Sequence, residues 1–311
     1  MLKRVIVIIV ILASLSACQT IVEVEVKPQV MVSLFPQYEI VREIAQDKVD
    51  VDLFLPSGVE PHAYEPSAST LVKIVEADLL IYSSDALEPW VKRLVEGNAS
   101  SELRVLDASV GVTLIEEAHD HDHDDEDEAD EDEVSFDPHY WLDAQNMLIM
   151  SEAILEALIE IDPENEVLFR DNADAYRAKL MVLDEAWVDL FERAQLNQII
   201  YGGHFAFGYL SHRFGLEILS PYSGYAPDAE PSAQALASLM DVLNKKEISV
   251  IFYEELIDPR VARIIAEQAQ VEIEVLHGGH NLSPQEKQAG WTYISIMEDN
   301  IAKLKEALRY E

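Results

Sequence analysis

At 311 residues, 49% of them hydrophobic, the chain can bury one large core or two ordinary ones and is too apolar to stay unfolded throughout. Its charge is one-sided: 22 Lys and Arg against 59 Asp and Glu, a formal net of -37. A phosphate backbone needs a basic footprint, so this balance excludes nucleic acid as a partner and favours cations.

The chain opens on a targeting segment. Lys3 and Arg4 form a short basic region, and the apolar run 5–15 that follows is too short to span a bilayer. The run ends in Leu15-Ser16-Ala17-Cys18, which resembles a bacterial lipobox. That motif implies a signal peptide over 1–17, cleavage before Cys18, and a lipid on Cys18 that anchors the mature chain outside the cytoplasm to the cell membrane. Cys18 is the only cysteine, so no internal disulfide is available and lipidation gives the thiol a purpose. Residues 18–27 read as a tether.

The folded part begins with the apolar run 30–34. The pattern predicts a strand at 51–55, a helix over 67–76 opened by Pro66-Ser67, and a strand at 79–82. Strands alternating with helices predict an α/β architecture with mainly parallel sheets. The order then repeats. Glu65-Pro66-Ser67-Ala68 leads into the strand 79–82, and Glu230-Pro231-Ser232-Ala233 leads into a strand at 248–253. A turn and helix follow each, around Pro89-Trp90 and around Pro259-Arg260. The shared order predicts two lobes of similar construction, 28–162 and 197–311. Between them, 163–196 predicts one long linking helix. After Pro163 the stretch to Gln195 holds no Gly or second Pro, and Val167, Leu168, Tyr176, Leu180, Leu183, Trp187 and Leu190 recur at roughly helical spacing. Thirty-odd helical residues would run on the order of 50 Å, enough to span both lobes.

Within the first lobe, 116–134 is of low complexity and is expected to be disordered; 13 of its residues from 116 to 133 are acidic. His119, His121 and His123 alternate with Asp there. Such a run is either a solvated loop or a weak, fast-exchanging, multi-site chelator.

Six histidines lie elsewhere, and four fall where an α/β chain exposes side chains to a cleft. His62 follows the strand 51–55, in Pro61-His62-Ala63-Tyr64-Glu65-Pro66. His139 lies in Asp137-Pro138-His139-Tyr140-Trp141-Leu142-Asp143, where the acidic loop returns to structure. His204 follows the strand at Ile199-Ile200, and His280 follows the strand 273–276, in His277-Gly278-Gly279-His280-Asn281. Ligands of open α/β sheets bind beyond the carboxyl ends of the strands, so two histidines from each lobe can converge. Neutral imidazole suits zinc, copper, nickel or cobalt, whereas manganese prefers more carboxylate. His212, one helical stretch beyond His204, reads as structural.

Segments 58–66, 137–143, 204–210 and 283–297 resemble the metal-binding solute-binding proteins of ABC importers, the zinc branch in particular. The resemblance spans nearly all of the mature chain. It implies two (β/α) lobes joined by a long rigid helix, one metal in the interlobe cleft, Zn2+ as cargo, and the importer's permease and ATPase as partners of a monomer. By motif it makes His62, His139 and His204 ligands. Manganese-type relatives commonly carry a carboxylate where His204 stands. At the fourth position relatives often offer a carboxylate or a water, and His280 aligns there, with His277 and Glu60 as alternate ligands or supports. A manganese-specific member is the alternative within the family. A zinc hydrolase with Glu60 as base is the rival from another class, although the chain has no His-Glu-x-x-His and a fourth histidine would close the shell. An adhesin-like lipoprotein with a structural metal is the remaining alternative.

Overall fold

The structure is a computed structural model that describes residues 26–97, 102–116, 136–203, 206–221, 237, 239–243 and 248–311. The segment 1–25, most of the acidic loop, His204 and the repeat of Glu-Pro-Ser-Ala at 230–233 lie outside the described residues.

The first sheet holds β1 (Gln29–Val32), β2 (Asp50–Leu53), β3 (Leu79–Tyr82) and β4 (Arg104–Asp107), all parallel, in the order β2-β1-β3-β4. The second holds β5 (Gln198–Tyr201), β6 (Glu217–Leu219), β7 (Val250–Tyr253) and β8 (Glu272–Val275), again parallel and in the equivalent order β6-β5-β7-β8. The repeat read from the sequence is thus a repeat of topology, and the chain folds as two α/β lobes.

Strand periodicity gives each sheet two buried faces. In the first sheet Met31, Leu80 and Tyr82 face outward, against Ile74 of α2 (Ala68–Glu76) and Val91 of α3 (Trp90–Gly97). Ser67 caps α2 by accepting from the Thr70 backbone N–H, as its preference for that position predicts. In the second sheet Ile200 and Ile251 face outward, against Leu239, Leu243 and the residues Ala262 and Ile265 of α7 (Arg260–Ala269). The opposite faces share one continuous core. Val30, Val32, Leu79 and Ile81 from one lobe, and Ile199, Tyr201 and Phe252 from the other, belong to it.

That shared core is built largely by helices. α1 (Phe35–Ala45), α4 (Ala144–Ile161), α5 (Glu166–Arg193) and α9 (Tyr293–Ala307) pack together in it. α5 is the predicted linking helix. Its 28 residues span about 42 Å, preceded by a 3-10 turn at Pro163–Asn165. Tyr176, Leu180, Leu183, Trp187 and Leu190 are buried as expected, with Phe169 and Ala173 completing the stripe. Val167 is not on it: that side chain is 76% exposed, because the 3.6-residue period that buries Phe169 and Ala173 turns Val167 to solvent. A 3-10 turn (Tyr140–Leu142), α6 (Gly208–Phe214) and α8 (Pro284–Ala289) complete the elements used below.

Candidate metal centre

Loops leaving the carboxyl ends of strands in both lobes meet in the cleft. The loop after β2 carries Glu60 and His62. The turn that opens Tyr140–Leu142 carries His139, β7 runs directly into Glu254 and Glu255, and β8 runs into His277 and His280. β5 ends at Gly202-Gly203, immediately before His204 in the sequence.

His62 and His139 meet edge to edge, Nε2 to Nε2 at 3.0 Å. Two lone pairs aimed at one point from that distance repel unless a proton or a metal ion lies between them. Asp137 fixes one partner: its Oδ1 lies 2.8 Å from His139 Nδ1 and also accepts the His139 backbone N–H at 2.9 Å. A carboxylate on Nδ1 keeps the proton there and makes Nε2 the coordinating nitrogen, the arrangement common behind zinc-ligating imidazoles. Both residues are almost fully buried, with Trp141 edge-on to His139 at a ring separation of 5.4 Å. His62 is the more open of the pair, 15% exposed.

Glu60 joins this pair to the second lobe. Its Oε1 lies 4.0 Å from His62 Nε2, and its Oε2 lies 3.6 Å from His280 Nε2. Among the described residues, Glu60, Glu254 and His280 bring one donor atom each within 4.8 Å of one another. Glu254 and Glu255 were missed by sequence reasoning centred on imidazole. The signal was present, since two acids directly after a buried apolar strand sit at the edge where such sheets bind ligands.

Behind His280 lies a buried ionic network. Glu255 Oε1 is 3.1 Å from His277 Nδ1 and 3.5 Å from His280 Nδ1, and Oε2 accepts the Gly278 N–H at 2.8 Å. His277 Nε2 faces Glu286 Oε1 of α8 at 3.6 Å. Burial pulls the His277 imidazole down, but the Glu255 carboxylate beside it, with Glu286, outweighs burial and holds it up at about 9. Burial likewise pushes Glu255 up, and the neighbouring imidazoles of His277 and His280 more than reverse this, to about 2. Both nitrogens of His277 thus face carboxylates, and its backbone N–H and C=O are held by Asn300 of α9 at 2.8 Å each. His212 is exposed on α6.

The two sides of the cleft are already joined by protein contacts. Asn281 Nδ2 donates to Pro56 O at 2.8 Å and to Val59 O at 2.9 Å, Gly58 N donates to Leu282 O, and Phe35 N donates to His280 O, each at 3.0 Å. Trp141 Nε1 donates to Gly278 O at 2.7 Å, and Tyr209 OH to Asp137 O at 2.9 Å. Gly279 adopts φ +69, and a Cβ there would lie 2.9 Å from Met297 Cε, so the loop bearing His280 needs glycine at that point. Contacts between protein groups thus hold the donor groups close together.

Comparison with known proteins places this arrangement. The family described as "ZnuA: Zinc-uptake complex component A periplasmic" matches residues 30–307. The chain belongs to that family. It is a solute-binding component of a zinc importer and not an enzyme. It is 36% identical over 282 residues to the high-affinity zinc uptake system protein ZnuA of Bacillus subtilis, covering 91% of this chain and 88% of that one. It is 33% identical over 297 residues to the zinc-binding lipoprotein AdcA of Streptococcus pneumoniae, a longer protein of which it covers 59%. The Zn(II)-bound ZnuA-like domain of that AdcA superposes with a TM-score of 0.76 at 32% identity, covering 91% of this chain and 99% of the domain. The family supports the two-lobed fold, the zinc cargo and the transport role read from the sequence.

Proposed function

We propose that this chain captures Zn2+ in its interlobe cleft with His62, His139, His204 and His280 and delivers it to the permease of an ABC importer, whose ATPase drives uptake. The Nε2 atoms of His62 and His139, 3.0 Å apart with Asp137 behind one of them, carry the reading. Glu60, within reach of both His62 and His280, is an alternate ligand or a support, and His277 is a support held between carboxylates. The name of the Streptococcus relative as a lipoprotein supports lipidation of Cys18 and an extracytoplasmic, membrane-anchored location. Among the described residues no helix is long and apolar enough to cross a membrane. The chain acts as a monomer in lobes 28–162 and 197–311 linked by 163–196, and His119, His121 and His123 are accessory chelators that keep zinc near the cleft.

Imidazole donors at this number favour zinc over manganese. Metal content and competitive affinity for the two ions, measured on the full chain and on His280→Ala, test the assignment. Tight one-to-one zinc binding that His280→Ala weakens at least tenfold is expected. Manganese bound as tightly as zinc by the wild type would overturn it.

A further inference from the structure

We infer that Glu254 is a further ligand of the bound ion, a carboxylate donor supplied by the second lobe beside His280, an inference that rests on the cleft being the zinc site. Glu254 and Glu255 directly follow β7, and their side chains reach different partners. Glu255 takes the Nδ1 side of His280 and binds the Gly278 N–H. That contact leaves His280 Nε2 facing Glu60, with a Glu254 oxygen within 4.8 Å of one of the imidazole nitrogens. His280 is 2% exposed, and its Nε2 has no hydrogen-bond partner among the described residues, with Glu60 Oε2 at 3.6 Å. A buried imidazole nitrogen is thus directed into a gap bounded by two carboxylates.

The donor set of that gap suits a divalent ion. Glu254 is 2% exposed, and one of its oxygens lies within 4.8 Å of a Glu60 oxygen and of a ring nitrogen of His280. Carboxylate oxygens and imidazole nitrogen are the ligand atoms such an ion takes. The backbone makes room for this placement. A Cβ on Gly203 would lie 2.8 Å from Glu254 Cβ and 2.9 Å from its Oε2, so glycine at the end of β5 is what allows Glu254 to occupy the floor of the cleft. A hard carboxylate added to imidazole donors broadens the site toward oxygen-loving ions, so Glu254 sets how much manganese is tolerated.

Glu254→Gln in the full chain tests this. Chelator competition at substoichiometric metal reads the tight site without the acidic loop. Zinc affinity is expected to fall about tenfold or more, manganese affinity to fall further, and the visible spectrum of the Co(II) form to change, while the metal-free chain keeps its melting temperature. Glu254→Asp retains the charge, draws the carboxylate back by one methylene, and should give a smaller loss; it decides the matter if the Gln variant does not fold. Affinities within twofold of wild type with an unchanged cobalt spectrum, in whichever variant folds, would overturn the role of Glu254. His139→Ala separates this from the parent reading. If that variant also bound zinc like wild type, the cleft itself would not be the site.

Discussion

At the scale of single residues, chemistry in the cleft is set by which carboxylate stands behind which imidazole. Asp137 behind His139 and Glu255 behind His280 both occupy Nδ1, and both leave Nε2 facing the cleft. His277 differs: carboxylates flank both nitrogens and raise its pKa, while its Nδ1 also accepts from the Gly279 N–H at 2.9 Å. Its folded pKa of about 9 lies above the ordinary 6.5, so its stabilisation is fully present below pH 6.5 and is lost as pH rises toward 9. Its partners shift the other way. Glu255 and Glu286 lie at about 2 against an ordinary 4.5, so their contribution is present above pH 4.5 and lost as pH falls toward 2. The metal-free chain should therefore lose melting temperature between pH 6.5 and 9, and His277→Gln should flatten that decline. Parallel declines in the two proteins would show that His277 is not charged in the fold.

At the scale of elements, α5 decides how far the lobes can move. It is continuous over 28 residues and packs against α1, α4 and α9, so it joins the sheets as a stiff strut. Arg213 of α6 adds a cross-link, donating to Asp184 of α5 and, at 2.6 Å, to Asp143, the residue that caps α4 by accepting from Gln145 N. The bonds from Asn281 to Pro56 and Val59, and from Trp141 to Gly278, join the lobes across the cleft. Leu180 is fully buried on the strut, and Leu180→Ala should cost about 2–5 kcal/mol of unfolding free energy. Zinc affinity should remain within a few-fold of wild type, because the donors are fixed by loop contacts and not by that side chain. Denaturant melts with and without zinc check both halves.

At the scale of the whole molecule, net charge and the acidic segment act together with the cleft. A formal charge of -37 raises the local concentration of cations, and the His-Asp run at 119–124 offers them weak donors. Deleting 116–133 should remove weak zinc equivalents in a titration while leaving one tight site. Loss of the tight site in that deletion would sink this division of labour. Zinc at a thousandfold excess over Kd should stabilise the fold by roughly 4 kcal/mol, through binding to the folded state alone.

What the sequence determined by itself was whatever local chemistry writes down directly. The apolar runs marked six of the eight strands within a residue or two, with β4 and β6 unread, Ser67 marked the start of α2, and the long Gly-free stretch marked α5; motif and strand-end position singled out His62, His139, His204 and His280 as candidates. These signals are short-range, so a single chain exposes them. Only the tertiary structure decided that Val167 faces solvent while Phe169 is buried, since the phase of a helix is set by what it packs against. Likewise, only the fold brought Glu254, just after β7, within reach of Glu60, 194 positions earlier in the chain, and set Glu255 behind His280. Which of two adjacent acids meets the ion depends on where the opposite lobe lies, and no local pattern carries that information.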